Sequence, residues 1–197
     1  KTNIPVTTTL HGLGAFPETD DLALGWLGMH GFYHTNMAVQ NADLIMAVGA
    51  RFDDRVTGDV EAWAPNAKII HVDIDPSCIS KNVYADCALI GDAQAVLEQL
   101  LPKVGPKDTT DWLAQIDAWR EDCPPYEYEG SNGDEIAPES VVEALYDKTQ
   151  GDAVMVSDVG QHQMWVCQYY KFGQTRSHIS SGGLGTMGFG LPAAMGA

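Results

Sequence analysis

Three short apolar runs in the first half of the chain predict β-strands that are buried on both faces. Leu44–Val48 is five apolar residues in a row and Cys87–Ile90 is four, while Lys68–Asp73 has Ile69, Ile70 and Val72 within six residues. Unbroken runs without polar alternation are typical of a parallel sheet covered by helices. Residues 4–10 are rich in β-branched side chains and predict one more strand, whereas residues 17–26 are predicted to be a polar loop.

Helical periodicity follows the third of these runs. Asp92 suits the N-cap position of a helix, and Pro102 ends it. The apolar positions between them recur at helical spacing and predict a face packed in the core: Ala93, Val96, Leu97, Leu100 and Leu101. A shorter helix is predicted over residues 35–42, beginning at Thr35 or Asn36.

Strands that alternate with helices predict an α/β fold of two incomplete, doubly wound parallel-sheet domains. Residues 1–104 form the first, which lacks its initial βα unit, and we expect that unit upstream of Lys1. Residues 105–135 are predicted to be an acidic linker with one helix, which Thr110 would cap. Residues 136–197 begin the second domain.

The second domain has its own strand and helix signals. Pro138 fits the first position of a helix, and residues 153–157 and 176–180 predict buried strands. Gln161 and His162 follow the first of these strands and begin the next helix. Polar residues at a helix N-terminus suit an anion such as a diphosphate, although His162 could equally be an ordinary helix-start residue.

Composition narrows the function classes. The chain is 45% hydrophobic and carries a net charge of −16, which argues against nucleic acid or an anionic membrane surface as a partner. Its four cysteines show no CxxC spacing, so neither a zinc site nor a disulfide framework is indicated, and a cytoplasmic protein with reduced thiols is expected. The chain does not begin with Met, and we expect it to be an internal fragment.

Charged residues follow the Leu44–Val48 strand and mark a candidate site. Gly49 ends the strand, and two cations and two anions come next in residues 51–55. In open α/β sheets, ligands bind outside the carboxyl ends of the strands, and this segment is therefore the first candidate. The alternative is a surface loop whose charges pair with one another.

Four stretches carry a resemblance to a known family. Residues 48–58 read Val-Gly-Ala-Arg-Phe-Asp-Asp-Arg-Val-Thr-Gly, and residues 27–31 read Leu-Gly-Met-His-Gly. Residues 160–165 read Gly-Gln-His-Gln-Met-Trp, and residues 180–194 contain Ser-Ser-Gly-Gly-Leu-Gly-Thr-Met-Gly. Together they resemble the catalytic subunits of acetohydroxyacid synthases (acetolactate synthases), the flavoproteins that depend on thiamine diphosphate.

The resemblance implies an activity and its cofactors. Enzymes of this family decarboxylate pyruvate on thiamine diphosphate, which acts as the electron sink. They join the two-carbon unit to a second 2-oxo acid, either pyruvate or 2-oxobutyrate, to give acetolactate or acetohydroxybutyrate for isoleucine and valine biosynthesis. FAD is largely structural, and Mg²⁺ holds the diphosphate.

The resemblance also assigns roles to residues of this sequence. Gln161 and His162 would lie beside the diphosphate, and Gly185, Thr186 and Met187 would hold the aminopyrimidine. The flavin would be lined by a larger set: Thr9, Leu10, Leu27, Gly28, Met29, His30, Gly49, Ala50, Arg51, Phe52, Asp53, Asp73, Asp92 and Ala93.

For the second substrate, the resemblance favours Arg55, because a guanidinium offers a bidentate fork to a carboxylate. Asp54 would orient Arg55, and Met29 would shape the same entrance. The activating glutamate and the Mg²⁺ ligands are expected outside this chain, so the fragment alone should be inactive. The family further implies a homodimer or homotetramer with the active site between subunits, and a small regulatory subunit.

Two other function hypotheses remain open, and a metal site is disfavoured. The chain could belong to another thiamine-diphosphate-dependent decarboxylase or carboligase. It could also be a non-catalytic nucleotide-binding module that uses Asp73 and the G-x-G-x-x-G of residues 183–188. His30 and His34 have the i, i+4 spacing of a metal pair, but Gly31 argues against one helix through both.

Overall fold

The computed structural model describes residues 2–124 and 135–197, so residues 125–134 of the predicted linker lie outside this description. The strands of the described ranges are β1 (Val6–Thr8), β2 (Ala23–Trp26), β3 (Leu44–Val48), β4 (Lys68–Asp73), β5 (Cys87–Ile90), β6 (Met155–Ser157) and β7 (His178–Ser180). The helices are α1 (Tyr33–Gln40), α2 (Asp54–Thr57), α3 (Ala93–Leu100), α4 (Thr110–Asp122), α5 (Pro138–Thr149), α6 (Gln161–Tyr169) and α7 (Gly190–Gly196). Short 3₁₀ turns occupy Leu10–Gly12 and Pro76–Cys78.

The three predicted strands of the first half form one parallel sheet in the order β3-β4-β5. Ile45 pairs with Ile69, and Val72 pairs with Leu89. The mixed α/β class with parallel sheets is therefore confirmed. Burial on both faces is wrong for both edge strands, because Leu44 and Val48 of β3 and Ile90 of β5 are exposed.

A short parallel sheet of β1 and β2 precedes it and corrects the polar loop predicted for residues 17–26. The Thr7 Oγ1 hydroxyl donates to the Gly25 carbonyl oxygen across 2.9 Å. Leu24 and Trp26 are buried, while the residues that alternate with them are partly exposed. The prediction failed because a four-residue strand containing glycine follows a run of acidic turn residues and offers too short a pattern.

Helix α1 begins two residues earlier than predicted, after Phe32, and no side chain caps it. Thr35 and Asn36, the predicted caps, have other hydrogen bonds. The Thr35 hydroxyl donates to the Leu24 carbonyl oxygen, and the Asn36 amide exchanges two hydrogen bonds with the backbone of Gly28. Both polar side chains therefore fasten α1 to the preceding segment.

The amphipathic face of α3 is not core, contrary to the prediction. Leu97 is 43% exposed and Leu101 is 53% exposed. The N-cap is confirmed, since the Asp92 carboxylate accepts from the Ala95 N–H across 3.1 Å. The stripe has the helical period, but the other described elements leave much of it uncovered.

Helix α4 supplies the buried face instead. Ile116 is only 1% exposed and packs with Leu24 and Ala38, flanked by Trp112 and Trp119. The cap prediction is off by one residue, because Thr109 occupies the N-cap position. The carboxylate just before it, on Asp108, accepts from both the N–H and the hydroxyl of Thr110.

The last part of the chain pairs β6 with β7 in parallel, and Pro138 is confirmed at the start of α5. Both strands begin two residues later than predicted. Leu13 and Trp26 share one buried cluster with residues of α5, α6 and the segment after α6: Val142, Val166, Cys167, Tyr170 and Phe172.

Two reciprocal hydrogen bonds reinforce this cluster. The Glu18 N–H donates to the Phe172 carbonyl oxygen (3.0 Å), and the Phe172 N–H donates to Glu18 Oε2 (2.7 Å). Burial raises the pKa of Glu18 to about 7, although the Phe172 N–H and the nearby Lys171 act in the opposite direction. The start and the end of the chain are thus packed together.

Candidate functional site

The carboxyl ends of β3, β4 and β5 lie side by side and form the first part of the site. Just past these ends, the Gly49 N–H donates to the Val72 carbonyl oxygen (2.8 Å), and the Gly91 N–H donates to the Asp73 carbonyl oxygen (3.0 Å). Gly49 has φ +65°, and a Cβ placed there would meet no atom within 4 Å. The edge is therefore open to a ligand at the position expected for this topology.

Asp73 stands at this edge above a buried histidine. Its Oδ1 accepts from the Asp75 N–H across 2.9 Å, while its Oδ2 lies 3.8 Å from Nε2 of His71. Phe52 packs edge-on against the His71 ring at 5.0 Å between centroids. Neither ring nitrogen of His71 has a hydrogen-bond partner among the described residues.

The charged segment after β3 contains two exposed ion pairs. Arg51 lies 2.7 Å from Asp53, and Arg55 lies 2.9 Å from Asp54. The alternative expectation that these charges pair with one another is thus confirmed. Exposed pairs contribute little to stability and are easily exchanged, so both guanidinium groups stay accessible to an anionic ligand.

Asn82 holds this segment in place and was missed by the sequence analysis. Its Nδ2 donates to the carbonyl oxygens of both Arg51 and Phe52. Phe52 needs such support, because its φ of +53° is unusual for a residue with a bulky side chain. No local pattern marks Asn82, because its partners lie about thirty positions earlier.

The loop of residues 27–31 meets the charged segment at Arg55. The Met29 N–H donates to the Arg55 carbonyl oxygen across 2.8 Å, and the Met29 side chain is 62% exposed. A Cβ on Gly28 would lie 2.7 Å from that same oxygen, and Gly28 has φ +114°. Two of the residues assigned to the second substrate are therefore neighbours.

A second part of the site lies at the end of β6. Gln161 and His162 form the first turn of α6, as predicted. The Asp158 carboxylate just before them accepts from three backbone N–H groups, those of Val159 (2.7 Å), Gly188 (3.0 Å) and Gly190 (2.9 Å). These hydrogen bonds hold the pKa of Asp158 below its usual range, and the bond from Gly190 has the largest effect.

The glycine-rich loop of residues 182–189 is shaped by these contacts. Gly185 and Gly188 have φ values of +73° and +83°, a conformation that glycine adopts without strain. The Thr186 N–H donates to Ser181 Oγ across 3.0 Å, and the Met187 side chain is 77% exposed. An exposed apolar side chain on a glycine-containing loop suits contact with a flat heterocycle.

Asp158 and Ser181 were not among the predicted site residues. Asp158 follows a strand end directly, which is the same signal that marked Asp73, and it could have been found on that basis. Ser181 follows the end of β7 in the same way and could also have been found. Among the described residues, no group of three or more His, Cys, Asp or Glu side chains is placed to hold a metal ion.

Leu10, two residues after β1, lies against the glycine-rich loop. A Cβ on Gly182 would overlap the Leu10 side chain at Cδ2. The His178 Nδ1 is 3.3 Å from the Leu10 carbonyl oxygen. Leu10, assigned to the flavin by resemblance, therefore contacts the loop assigned to thiamine diphosphate.

Comparison with known families agrees with both parts. Residues 1–100 match the thiamine pyrophosphate enzyme central domain, and residues 158–197 match the thiamine pyrophosphate enzyme C-terminal TPP-binding domain. The chain belongs to the thiamine pyrophosphate enzyme family. The first match contains the open edge of the β3-β4-β5 sheet, and the second contains the start of α6 and the glycine-rich loop.

Individual members of the thiamine pyrophosphate enzyme family are also similar to the chain. The acetolactate synthase isozyme 3 large subunit of Escherichia coli is 50% identical over 98% of this chain and 35% of that relative. The acetolactate synthase large subunit of Haemophilus influenzae is 49% identical over 98% of this chain and 35% of its own length. Acetolactate synthase 1, chloroplastic, of Oryza sativa is 47% identical over the whole of this chain and 31% of that relative.

This thiamine pyrophosphate enzyme chain thus spans about a third of the length of the curated relatives it matches. No helix among its described residues is long and apolar enough to cross a bilayer.

Proposed function

We propose that the protein carrying this chain is an acetolactate synthase. The observation that carries the proposal is the identity of about half the residues with acetolactate synthase large subunits over nearly the whole chain. The proposed reaction decarboxylates pyruvate and condenses the two-carbon unit with pyruvate or 2-oxobutyrate, in branched-chain amino acid biosynthesis. A cytoplasmic location goes with this role.

Thiamine diphosphate is the first proposed cofactor, and it supplies the electron sink for decarboxylation when bound. Gln161 and His162 would contact its diphosphate at the N-terminus of α6, where backbone N–H groups favour an anion. Gly185, Thr186 and Met187 would hold its aminopyrimidine. The left-handed Gly185 and the exposed Met187 support this role, because they leave backbone and apolar surface accessible.

FAD is the second proposed cofactor, at the open edge of the β3-β4-β5 sheet. Gly49 would let the ligand approach the backbone, and Asp73 would accept hydrogen bonds from hydroxyl groups at the end of β4. The remaining contacts are proposed for a set that surrounds this edge and the end of β1: Thr9, Leu10, Leu27, Gly28, Met29, His30, Ala50, Arg51, Phe52, Asp53, Asp92 and Ala93.

Arg55 is proposed to bind the carboxylate of the second 2-oxo acid. Its guanidinium is 73% exposed and is already oriented by Asp54 at 2.9 Å. A carboxylate ligand would compete with Asp54 for the same fork, and the exposed pair makes that exchange inexpensive. Met29, whose N–H donates to the Arg55 carbonyl oxygen, would close one side of the entrance.

Further parts are proposed outside this chain. They are the glutamate that activates thiamine diphosphate and the ligands of Mg²⁺. We also propose a homodimer or homotetramer whose active site lies between subunits, and a small regulatory subunit. The proposed assembly has no role for nucleic acid or a membrane.

The decisive experiment is an assay of acetolactate formation from pyruvate by the protein that carries this chain. Thiamine diphosphate with Mg²⁺, and FAD, are added back separately to cofactor-free protein. Activity that requires both cofactors is the expected result. Activity without FAD would still support a thiamine-diphosphate-dependent carboligase, but it would contradict the roles proposed for the residues that contact the flavin. Bound flavin without any activity would instead favour a nucleotide-binding module.

A further inference from the structure

Asp158 joins the end of β6 to the glycine-rich loop across thirty residues of sequence. Its Oδ1 accepts from the Val159 and Gly188 N–H groups, and its Oδ2 accepts from the Gly190 N–H. One carboxylate thus accepts hydrogen bonds from two backbone amides at the far end of the loop and from the amide of the residue that follows it. Both of its oxygens face protein backbone, which differs from a side chain that is aimed at a ligand.

The loop end is fitted closely around this carboxylate. A Cβ on Gly190 would lie 2.8 Å from the Asp158 nitrogen and 2.9 Å from its Cβ, so only glycine allows the approach. Gly188, two residues earlier, has φ +83° and a Cβ there would meet nothing within 4 Å. The loop is therefore tightly held at Gly190 and has open space at Gly188.

Among the described residues, the hydrogen bonds that join the far end of the loop to β6 are the two that the Asp158 carboxylate accepts from Gly188 and Gly190. The near end has its own bonds, because the Gly185 N–H donates to the Ser181 carbonyl oxygen and the Thr186 N–H donates to Ser181 Oγ. Met187 follows this near end and precedes the amides that Asp158 binds. Its backbone is thus fixed from both sides.

We propose that Asp158 is a positioning residue that holds the Gly185–Met187 segment in its ligand-binding conformation without touching the ligand. This inference rests on the proposed function, in which that segment holds the aminopyrimidine of thiamine diphosphate. Loss of Asp158 leaves the residues that contact the cofactor in place but releases one end of their loop. The effect is therefore on cofactor affinity, and binding of pyruvate to the loaded protein is spared.

The test compares Asp158→Ala, Asp158→Asn and a matched control, Asp108→Ala. Asp108 is also a carboxylate that accepts a local backbone N–H, from Thr110, but it stands at α4 and outside the proposed site. Thiamine diphosphate affinity is measured by calorimetry with Mg²⁺ present. Amide hydrogen exchange of peptides covering residues 182–190, bound FAD and the thermal midpoint are measured on the same samples.

Asp158→Ala is expected to weaken thiamine diphosphate binding about 10-fold or more, because charge-assisted hydrogen bonds are lost. Exchange at Gly188 and Gly190 should rise, with FAD content and thermal midpoint equal to those of Asp108→Ala. The thiamine diphosphate affinity of Asp158→Asn should lie between those of the wild-type protein and Asp158→Ala. The asparagine amide keeps one acceptor oxygen but turns its NH₂ group toward an N–H donor.

Unchanged affinity in both Asp158 variants would overturn the inference. If Asp158→Ala lowers the thermal midpoint, Asp158→Asn decides: weaker binding at an unchanged midpoint supports the inference, and wild-type affinity overturns it. A wild-type protein that binds no thiamine diphosphate would overturn the proposed function instead. In that case the amide hydrogen exchange rates of Gly188 and Gly190 still report whether Asp158 holds the loop.

Discussion

The backbone N–H of Met29 donates to the carbonyl oxygen of Arg55 across 2.8 Å. This bond joins two loops that are separate in the sequence, and the side chains of both residues are exposed. The position of one loop therefore depends on the other.

We predict that Arg55→Ala changes the choice of second substrate. With equal pyruvate and 2-oxobutyrate, the ratio of acetohydroxybutyrate to acetolactate should move about 10-fold toward unity. The lost bidentate contact no longer fixes the carboxylate that both acids share, so their alkyl groups are compared less strictly. Flavin absorbance should persist. Arg55→Lys is the matched control, since it keeps the charge without the fork, and an intermediate ratio is expected. An unaltered ratio in Arg55→Ala would contradict the role given to this residue.

Gly28→Ala should destabilise the protein by about 1–3 kcal/mol. The substitution forces a Cβ to within 2.7 Å of the Arg55 carbonyl oxygen at a φ of +114°. Gly105→Ala is the control, because its φ is ordinary and a Cβ there would have no atom within 4 Å. Urea unfolding of both variants measures the difference. Equal stabilities would show that the two loops can separate without cost.

Glu18 should make stability fall as the pH rises. Its folded pKa is about 7 and its ordinary value is 4.5, so the folded state binds more protons than the unfolded state between these values. The free energy of unfolding should therefore be highest below about pH 4.5, as far as this group is concerned, and decline up to about pH 7. Glu18→Gln should remove this slope in denaturant titrations at several pH values.

Asp20→Asn serves as the control for that series. Asp20 is an exposed carboxylate in the same loop, which accepts from the Leu22 N–H. Its replacement should leave the slope between pH 4.5 and 7 in place. A slope that persists in Glu18→Gln would assign the pH dependence to other groups.

Ile116→Ala should cost about 2–5 kcal/mol of unfolding free energy, because Ile116 is 1% exposed and packs between α1 and β2. Leu97→Ala on α3 should cost much less, since 43% of that residue is already exposed. Chemical denaturation of both variants gives the comparison. Equal costs would contradict the exposed position of Leu97.

The contrast between α3 and α4 shows what the sequence can and cannot predict. Both helices have apolar residues at helical spacing, and the pattern alone predicts only that one face differs from the other. Which face is buried depends on neighbours, and Leu24 and Ala38 come from elements distant in sequence. The strands β3 and β5 were predictable because five and four apolar residues in a row leave few alternatives, and β4 because it has three β-branched apolar residues within six positions.

The candidate site also contains residues that the sequence predicts and residues that it does not. Gly49, Asp73 and Asp158 lie at strand ends and α6 begins shortly after β6, so their placement at carboxyl edges was predictable from chain order. The partners of Asp158 and Asn82 and the contact of Leu10 with Gly182 join residues far apart in the sequence, and no local pattern encodes these pairings.

The bonds between Glu18 and Phe172 have a consequence for synthesis of the chain. The two residues are 154 positions apart, so their pairing closes a long loop, and contacts of such separation form late and slowly. During translation, the Leu13 side chain lacks most of its buried neighbours until the segment up to Phe172 has left the ribosome. Nascent chains that stall before this point would expose the Leu13 and Trp26 side chains and become substrates for chaperones.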